Sequence, residues 1–307
     1  MKNNRWGVIY SSKVGTMKAY RHWLEIQSYM EKRNVEYDFV QSEGAGSVER
    51  LTTMLCKNGY ETIVLVGNDN SLNGTLNGIM QEESLPDNFA FALLPNGVGN
   101  DFARFWGITQ DDYKKSVDAI IERKTKKIDV GYCVLTDEDN IPYRRYFLNC
   151  VNIGLATKLL EVGNLFTRLI GSQKLSMIPT MVTNVLEQRS FNVNIKIDND
   201  RIDEEVMSIC IGNCYGYGQT PNAVPYNGML DISVITKPKL LQCIKGFYLL
   251  GKGKFLNNEN VTPYRVEHIV IEDISKAKVS LDGTIIADKN LTPVRIGVEP
   301  GVFNFIV

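Results

Sequence analysis

The amino-acid sequence predicts an α/β nucleotide-binding domain followed by a mainly antiparallel β domain. Over the first 130 residues, short apolar segments alternate with segments of helical spacing, the order of an open α/β sheet. One apolar segment, residues 63–66, is uninterrupted, as is typical of a parallel strand buried on both faces. Residues 191–197 instead alternate strictly between apolar and polar side chains, which indicates antiparallel pairing. We expect domains at residues 1–131 and 132–307, and the C-terminal strand could return to the first domain.

Length and composition narrow the class of protein. A chain of 307 residues exceeds the size of one comfortable core, and 44% hydrophobic with 22% charged residues is ordinary for a globular protein. The 34 basic and 35 acidic residues give a net charge of -1, so overall charge does not favour nucleic acid as a partner. No apolar run approaches the roughly 20 residues of a membrane-spanning helix, and the N-terminus lacks a secretory signal. We expect a cytoplasmic protein.

Cysteine and histidine usage argues against zinc and against a histidine base. The six cysteines include no Cys-x-x-Cys pair, so we expect reduced, mostly buried thiols. The two histidines, His22 and His268, lie far apart in sequence, in segments that predict ordinary structural roles. Carboxylates are therefore expected to carry any acid–base chemistry.

The remaining elements follow from periodicity and turn residues. In the first half we expect strands at 6–10, 35–39, 63–66 and 90–94, with helices at 17–33, 48–55 and 72–80 and further helices up to 123. In the second half we expect strands at 191–197, 206–211, 229–236, 265–272, 277–281, 294–298 and 303–307. A turn at 198–200 and helical stretches near 155–188 and 239–256 complete the expectation.

Two glycine-bearing turns follow predicted strands and precede predicted helices. Residues 67–71 read Gly-Asn-Asp-Asn-Ser, and residues 95–101 read Pro-Asn-Gly-Val-Gly-Asn-Asp. Glycine lets the backbone come close to a ligand, and the first N–H groups of a helix favour an anion. Together with the loop at 11–16, both turns fall at the carboxyl ends of strands, where open α/β sheets bind ligands. The sequence therefore predicts a phosphate-binding edge.

These turns belong to an ordered set of motifs that resembles a known family. The other motifs are Ser-Glu-Gly at 42–44, Lys-Ile-Asp-Val-Gly at 127–131, Phe-Leu-Asn and Asn-Ile-Gly-Leu within 147–155, the segment 221–231, and Leu-Asp-Gly at 281–283. In this order they resemble the catalytic region of the diacylglycerol kinases, including bacterial lipid kinases and sphingosine kinases, and more distantly the NAD kinases. The resemblance implies transfer of the γ-phosphate of ATP to a lipid hydroxyl, in a cleft between the two domains.

The resemblance also implies roles for individual residues. Asp69 would help to place Mg²⁺ and the phosphates, with Asp101 and Asp129 in a supporting carboxylate network. A structural Mg²⁺ site would use the carbonyls of Val224 and Met229 and the side chain of Asn227. The implied nucleotide-binding residues are Ser42, Gly67, Asn68, Asp69, Asn70, Ser71, Leu72, Asn73, Gly97, Val98, Gly99 and Asn100.

Three departures from the family pattern affect the nucleotide turns. Asn68 and Asn70 replace two glycines of a Gly-Gly-Asp-Gly-Thr turn, and their side chains could crowd a phosphate. Asparagine tolerates the left-handed backbone region better than most residues, so we expect the turn to form. Val98 replaces a threonine and removes one hydroxyl. These changes predict weakened affinity for ATP.

Two further departures affect catalysis and metal binding. Thr284 replaces the glutamate that the family pattern assigns as proton acceptor, and a threonine hydroxyl is no base near neutral pH. Asp282 is then the candidate acceptor. Asn227 replaces an aspartate, and a neutral ligand weakens a site for a hard cation.

Several interpretations stay open at this point. The chain could be an ATP-dependent lipid kinase, a pseudoenzyme that binds lipid or nucleotide, or an NAD kinase. Asp101 could simply cap a helix, and residues 282–283 could be no more than a hairpin turn. The lysine-flanked helix at 239–256 could touch an anionic membrane surface or cover a core. The chain could also form a homodimer.

Overall fold

The computed structural model describes residues 5–11, 17–97, 99–136, 139, 141–155, 157, 190–197, 200–237, 239–274, 277–286 and 293–307. The chain divides into two compact units. The first comprises Met1–Val130 together with Pro300–Val307, and the second comprises Gly131–Glu299.

The first unit is built on a parallel sheet. Its strands are β1 (Trp6–Ser11), β2 (Tyr37–Ser42), β3 (Thr62–Gly67) and β4 (Ala90–Pro95), in the spatial order β2-β1-β3-β4. Its helices are α1 (Met17–Lys32), α2 (Ala45–Lys57), α3 (Asp69–Ile79), α4 (Asp101–Phe105) and α5 (Tyr113–Ile121). Every residue of β1, β3 and β4 is buried, because helices alternate with strands and cover the sheet.

Helix α1 shows how helical periodicity builds the core of this unit. Its buried apolar side chains Trp23, Ile26 and Met30 recur at the spacing of one helix face. The ring of Trp23 stacks on that of Tyr10 in β1, with ring centroids 5.1 Å apart. The apolar face of the helix is thereby fixed against the sheet.

The second unit is a mainly antiparallel β structure. Its strands, two of which continue into the first unit, are β5 (Thr125–Thr136), β6 (Pro142–Phe147), β7 (Cys150–Gly154), β8 (Phe191–Ile197), β9 (Asp200–Gly212), β10 (Leu230–Thr236), β11 (Val261–Val266), β12 (His268–Asp273), β13 (Val279–Leu281), β14 (Thr284–Ile285) and β15 (Val294–Ile306). The central order is β14-β13-β7-β9-β8-β12-β15, and β10 pairs with both β9 and β11. Helix α6 (Leu240–Gly251) and short 3₁₀ turns at Gly216–Gly218 and Phe255–Asn257 interrupt the strands.

The predicted order of an α/β half followed by a mainly antiparallel β half is confirmed. Two strand predictions are wrong in detail. Residues 265–272 do not form one strand, because β11 pairs with β10 whereas β12 pairs with β8 and β15. Residues 294–298 and 303–307 form one strand, β15, despite the Pro-Gly sequence at 300–301. Its beginning pairs with β12 and its end pairs in parallel with β4.

Some predictions concern residues outside the described part of the chain. The helical stretch at 155–188 lies there except for residues 155 and 157, as do loop residues 12–16 and turn residues 198–199. Among the residues that the structure describes, no helix is both long and apolar enough to cross a membrane.

Close packing of α2 against α3 yields a stability prediction. A Cβ on Gly78 would lie 2.5 Å from the Glu49 carbonyl oxygen and 2.6 Å from Thr52 Cβ. We therefore expect Gly78→Ala to lower the free energy of unfolding by about 1–3 kcal/mol, as overpacking does. Urea denaturation measures this change.

Gly46 in α2 is the matched control for Gly78. Nothing lies within 4 Å of a Cβ at Gly46, so alanine is expected to be neutral or to stabilise the helix by up to about 1 kcal/mol. Equal effects of Gly78→Ala and Gly46→Ala would contradict this description of the α2–α3 contact.

Candidate functional site

The carboxyl ends of the parallel strands bring the two predicted turns together. Gly67 ends β3 directly beside Pro95, which ends β4, and the Asn96 N–H donates to the Gly67 carbonyl at 2.8 Å. Ser11 ends β1 beside Ser42 of β2. The expectation that the 67–71 and 95–100 turns meet at one edge of the sheet therefore matches the geometry.

Asp69 fastens the two turns to each other. Its N–H donates to the Gly99 carbonyl at 2.8 Å, and its Oδ2 accepts from the Asp101 N–H at 2.8 Å. A longer contact of 3.4 Å joins Oδ1 to the Phe102 N–H. The side chain is buried, with 4% of the residue exposed. The carboxylate thus holds the first turn of α4 against the beginning of α3.

Asn68 and Ser71 close the first turn of α3 upon itself. The Asn68 N–H donates to Ser71 Oγ at 2.9 Å, and the Ser71 N–H lies 3.4 Å from Asn68 Oδ1. A Cβ on Gly67 would lie 2.2 Å from Ser71 Oγ, so the turn has no room for a side chain there. Donors that a bare helix N-terminus would offer to an anion are therefore engaged within the turn.

The backbone of this turn corrects one sequence-based expectation. Asn68 is extended, with φ of -132°, and Asn70 lies within α3, so neither position uses the left-handed region. Gly97 and Gly99 do use it, with φ of 97° and 82°. Glycine is therefore required by conformation at 97 and 99, whereas at 68 and 70 only the size of the side chain matters.

The other predicted nucleotide-binding residues differ in exposure. Asn70 is exposed, while Leu72 and Asn73 are buried in α3. The Ser42 hydroxyl is buried and donates to the Gly44 carbonyl at 3.1 Å, so it supports the turn into α2. Asn100 Nδ2 donates to the Gly97 carbonyl at 3.0 Å. Val98 lies outside the described residues.

Asp101 and Asp129 occupy different surroundings within the first unit. Burial raises the pKa of the Asp101 carboxyl above its usual range, and the Arg104 guanidinium, 2.9 Å away, partly opposes this shift. Asp129 is buried, and its Oδ1 accepts from the Gly301 N–H at 2.8 Å. Asp101 therefore lies beside Asp69 at the turns, whereas Asp129 holds the backbone of β15 at Gly301.

Asp282 is the most fully engaged of the predicted catalytic carboxylates. Its Oδ2 accepts from the Leu148 N–H at 2.9 Å, and its Oδ1 accepts from the N–H groups of Asn149 and Cys150 at 2.8 and 3.0 Å. Its own N–H donates to the Cys150 carbonyl at 2.9 Å. With 1% of the residue exposed, this carboxylate organises the turn that leads into β7.

The Asp282-Gly283 pair also forms the hairpin turn between β13 and β14. Leu281 pairs with Thr284 across the turn, and Asp282 and Gly283 have φ of 46° and 82°. Positive φ at both central residues is typical of the tight type I′ turn. Thr284, which stands in place of the family's glutamate, is exposed. Asp282 and Gly283 therefore form the predicted hairpin turn, whether or not Asp282 also takes part in chemistry.

The predicted Mg²⁺ site is a poor fit to a hard cation. The Val224 carbonyl already accepts from the Tyr226 N–H at 2.8 Å, and Asn227 Oδ1 accepts from the Met229 N–H at 3.0 Å. The site offers neutral oxygens that are partly engaged, where Mg²⁺ prefers carboxylates. Nor do the described residues contain a cluster of three or more His, Cys, Asp or Glu side chains suited to a metal.

The sequence places Asn96 in the 95–101 turn, but the role of its side chain was not predicted. The residue is fully buried, and its Nδ2 donates to the Ala19 carbonyl near the start of α1 at 3.1 Å. Asn96 thus links the 95–100 turn to both β3 and α1. The position of Asn96 between Pro95 and Gly97 was the sequence feature that could have indicated this role.

Comparisons with known domains agree with the order of the two units. Residues 5–133 match the diacylglycerol kinase catalytic domain, and residues 149–307 match the YegS C-terminal NAD kinase beta sandwich-like domain. A diacylglycerol kinase of Bacillus subtilis (strain 168) is 22% identical to this chain, covering 90% of it and 88% of that protein. A diacylglycerol kinase of Staphylococcus carnosus (strain TM300) is 24% identical, covering 90% and 87%.

Solved structures support the fold. A diacylglycerol kinase structure from Bacillus anthracis str. Sterne has a TM-score of 0.69 at 18% identity and covers 100% of this chain and 97% of that chain. Yeast NADH kinase complexed with NADH has a TM-score of 0.57 at 12% identity, covering 99% and 83%. The two domain matches follow one another along the sequence, and the second spans more than half of it. The chain therefore belongs to the diacylglycerol kinase family.

Proposed function

We propose that this protein transfers the γ-phosphoryl group of ATP to a lipid hydroxyl. The observation that carries the proposal is the hydrogen bond from the Asp101 N–H to Asp69 Oδ2, which joins two turns at the carboxyl edge of a parallel sheet. Ligands bind at this edge in open α/β folds. Family membership makes a lipid kinase the activity that best suits the edge.

The residues at the edge have the properties that phosphoryl transfer requires. This reaction depends on positioning and on compensation of phosphate charge more than on covalent chemistry. ATP supplies the phosphoryl group, and the 67–71 and 97–100 turns would hold it. The bonds of Asp69 fix the turns before any ligand arrives, which lowers the cost of ordering them. Because the 224–229 segment fits Mg²⁺ poorly, no step is assigned to a metal there.

Asp282 is the proposed proton acceptor. Its three hydrogen bonds from main-chain N–H groups hold the carboxylate in one orientation. The hydroxyl of Thr284 cannot replace this carboxylate as a proton acceptor at neutral pH. Asp129 is proposed to support the site by holding the Gly301 N–H, and Asp101 by donating its own N–H to Asp69.

The acceptor is proposed to be a diacylglycerol-type lipid, in keeping with the names of the relatives, or else a sphingoid lipid. We further propose peripheral contact of α6 with an anionic membrane surface. The helix and its ends carry Lys239, Lys245 and Lys252, and Tyr248 is 64% exposed, with Lys252 Nζ 5.9 Å from the centre of its ring. Lysine beside an exposed aromatic ring suits the interface of an anionic bilayer.

A second function, a pseudoenzyme that binds nucleotide or lipid without turnover, is favoured by one observation. The first turn of α3 uses Ser71 Oγ and Asn68 Oδ1 to satisfy its own N–H groups. A phosphate would have to displace these bonds. Calorimetric binding of ATP without any phosphoryl transfer would support this alternative, whereas measurable turnover would exclude it.

Removing the charge of Asp69 tests the link between the two turns. Asp69→Asn keeps the size of the side chain but removes the charge that holds the Asp101 N–H, so the two turns should loosen. With ³²P-labelled ATP, Mg²⁺ and a panel of diacylglycerol, sphingoid and phosphatidylglycerol acceptors, we expect kcat/KM to fall at least about 100-fold. NAD as an acceptor in the same assay tests the NAD kinase alternative.

Asp112→Asn is the control for this variant. Asp112 accepts from Thr109 Oγ1 at 2.9 Å and contacts Lys115 at the surface, so its loss should change kcat/KM by less than about twofold. Absence of label in every acceptor with the unmodified protein would rule out the kinase proposal. Full activity of Asp69→Asn would remove the role of Asp69 alone.

Replacement of Asn68 and Asn70 tests whether their side chains obstruct a nucleotide. Asn68 and Asn70 do not use the left-handed backbone region, so replacing both by glycine removes only their side chains. The change also frees the Ser71 N–H from Asn68 Oδ1. One freed donor should lower KM for ATP by about three- to tenfold. Steady-state kinetics at varied ATP measure it, and an unchanged or higher KM would show that the asparagines do not obstruct the nucleotide.

A further inference from the structure

Asn149 lies where two segments of the second unit meet. It precedes β7, and 1% of the residue is exposed. Its N–H donates to Asp282 Oδ1 at 2.8 Å, and its Oδ1 accepts from the Gly216 N–H at 2.9 Å. Its carbonyl accepts from the N–H groups of Asn213 and Cys214, both at 3.0 Å. One residue therefore binds the Asp282 hairpin with its backbone and the 213–216 segment with its side chain and carbonyl.

The segment held by the Asn149 side chain has an unusual backbone. Gly216, Tyr217 and Gly218 all have positive φ, of 54°, 55° and 85°. Tyrosine pays a conformational cost in the left-handed region, and such outliers concentrate at functional sites. The turn is half exposed at Tyr217, and Tyr215 beside it is 38% exposed. A strained turn that presents two tyrosines is thus hydrogen-bonded to the residue that helps to hold Asp282.

Close packing leaves this turn little freedom to relax. A Cβ on Gly216 would lie 2.2 Å from Thr220 Oγ1, and Thr220 Oγ1 itself donates to the Cys214 carbonyl at 2.9 Å. Gln219, at the end of the turn, donates from Nε2 to Asn152 Oδ1 at 3.2 Å. Displacement of the turn would therefore strain its neighbours as well.

The two polar atoms of the Asn149 side chain are used unequally. Asn149 Nδ2 is buried and has no hydrogen-bond acceptor among the described residues. A buried donor without an acceptor lowers stability, so the Asn149 side chain contributes to this unit through its oxygen alone. What the asparagine adds is the bond from the Gly216 N–H to Oδ1.

We propose that Asn149 is a positioning residue, which joins the Asp282 hairpin and the Gly216–Gly218 turn into one hydrogen-bonded unit. This inference rests on the proposed function of Asp282 as proton acceptor. The Asn149 side chain holds the Gly216 N–H, and only the backbone N–H of Asn149, which alanine would keep, reaches the Asp282 carboxylate. Asn149 acts by fixing the position of the Asp282 carboxylate relative to the Gly216–Gly218 turn.

The test compares Asn149→Ala with Asn258→Ala. Asn258 is a buried asparagine of the same unit whose Oδ1 also accepts a backbone N–H, that of Asn260 at 3.1 Å. Both variants lose the same kind of bond, so we expect similar decreases of Tm. We expect kcat to fall at least about tenfold for Asn149→Ala, with KM for ATP within about twofold of the unmodified protein. For Asn258→Ala, kcat should stay within about twofold.

Amide hydrogen exchange gives a readout that does not depend on activity. The Gly216 N–H should lose protection in Asn149→Ala, and the Asp282 N–H should exchange at least about tenfold faster if the two segments form one unit. Asn149→Ser replaces the alanine variant if the latter does not fold. Unchanged exchange at Asp282 would overturn the coupling, even if the unmodified protein shows no turnover and the proposed function fails.

The kinetic outcomes are equally decisive. Equal losses of kcat in Asn149→Ala and Asn258→Ala would overturn the positioning role, because they would reflect general loosening of the unit. Retention of kcat in Asn149→Ala by an active protein would overturn it as well. A selective loss of kcat together with faster exchange at Asp282 would support it.

Discussion

The buried carboxylate of Asp69 is the interaction on which the candidate site depends. Parallel strands place the 67–71 and 95–100 turns side by side, but adjacency alone leaves each turn free to adopt other conformations. The bond from the Asp101 N–H to Asp69 Oδ2, 2.8 Å long, removes that freedom. A charge-assisted bond to a backbone N–H is stronger than a neutral one, and burial protects it from solvent. The turns therefore behave as one preformed edge.

The second unit applies the same physical principle at Asp282. Its carboxylate also accepts backbone N–H groups of a distant segment, at residues 148–150. In both units a carboxylate that is proposed to take part in the chemistry also organises the backbone around it. Loss of the family's glutamate at Thr284 leaves this arrangement of the backbone intact. The fold can therefore keep its site geometry whether or not catalysis is retained.

Local patterns predicted much of the fold, and long-range bonds account for what they missed. β3 was predictable because a strand buried on both faces has an uninterrupted apolar run. The strands predicted at 294–298 and 303–307 are one strand, because pairing with β12 and β4 carries β15 through the Pro-Gly sequence at 300–301. The bonds of Asp282 join residues 132 to 134 positions apart, which periodicity cannot reveal. The site roles and the domain boundary at residue 131 stay predictions.

Under the proposed function, Asn68 and Ser71 decide whether the preformed edge accepts a nucleotide, because they satisfy each other at the turn proposed to bind a phosphate. A crystal structure with a non-hydrolysable ATP analogue and Mg²⁺ tests this most directly. We expect the triphosphate against the 67–71 and 97–100 turns, with the bond between Ser71 and Asn68 Oδ1 broken and the bond between Asp69 and the Asp101 N–H kept. A nucleotide bound elsewhere, or no nucleotide and an unchanged turn, would contradict the account.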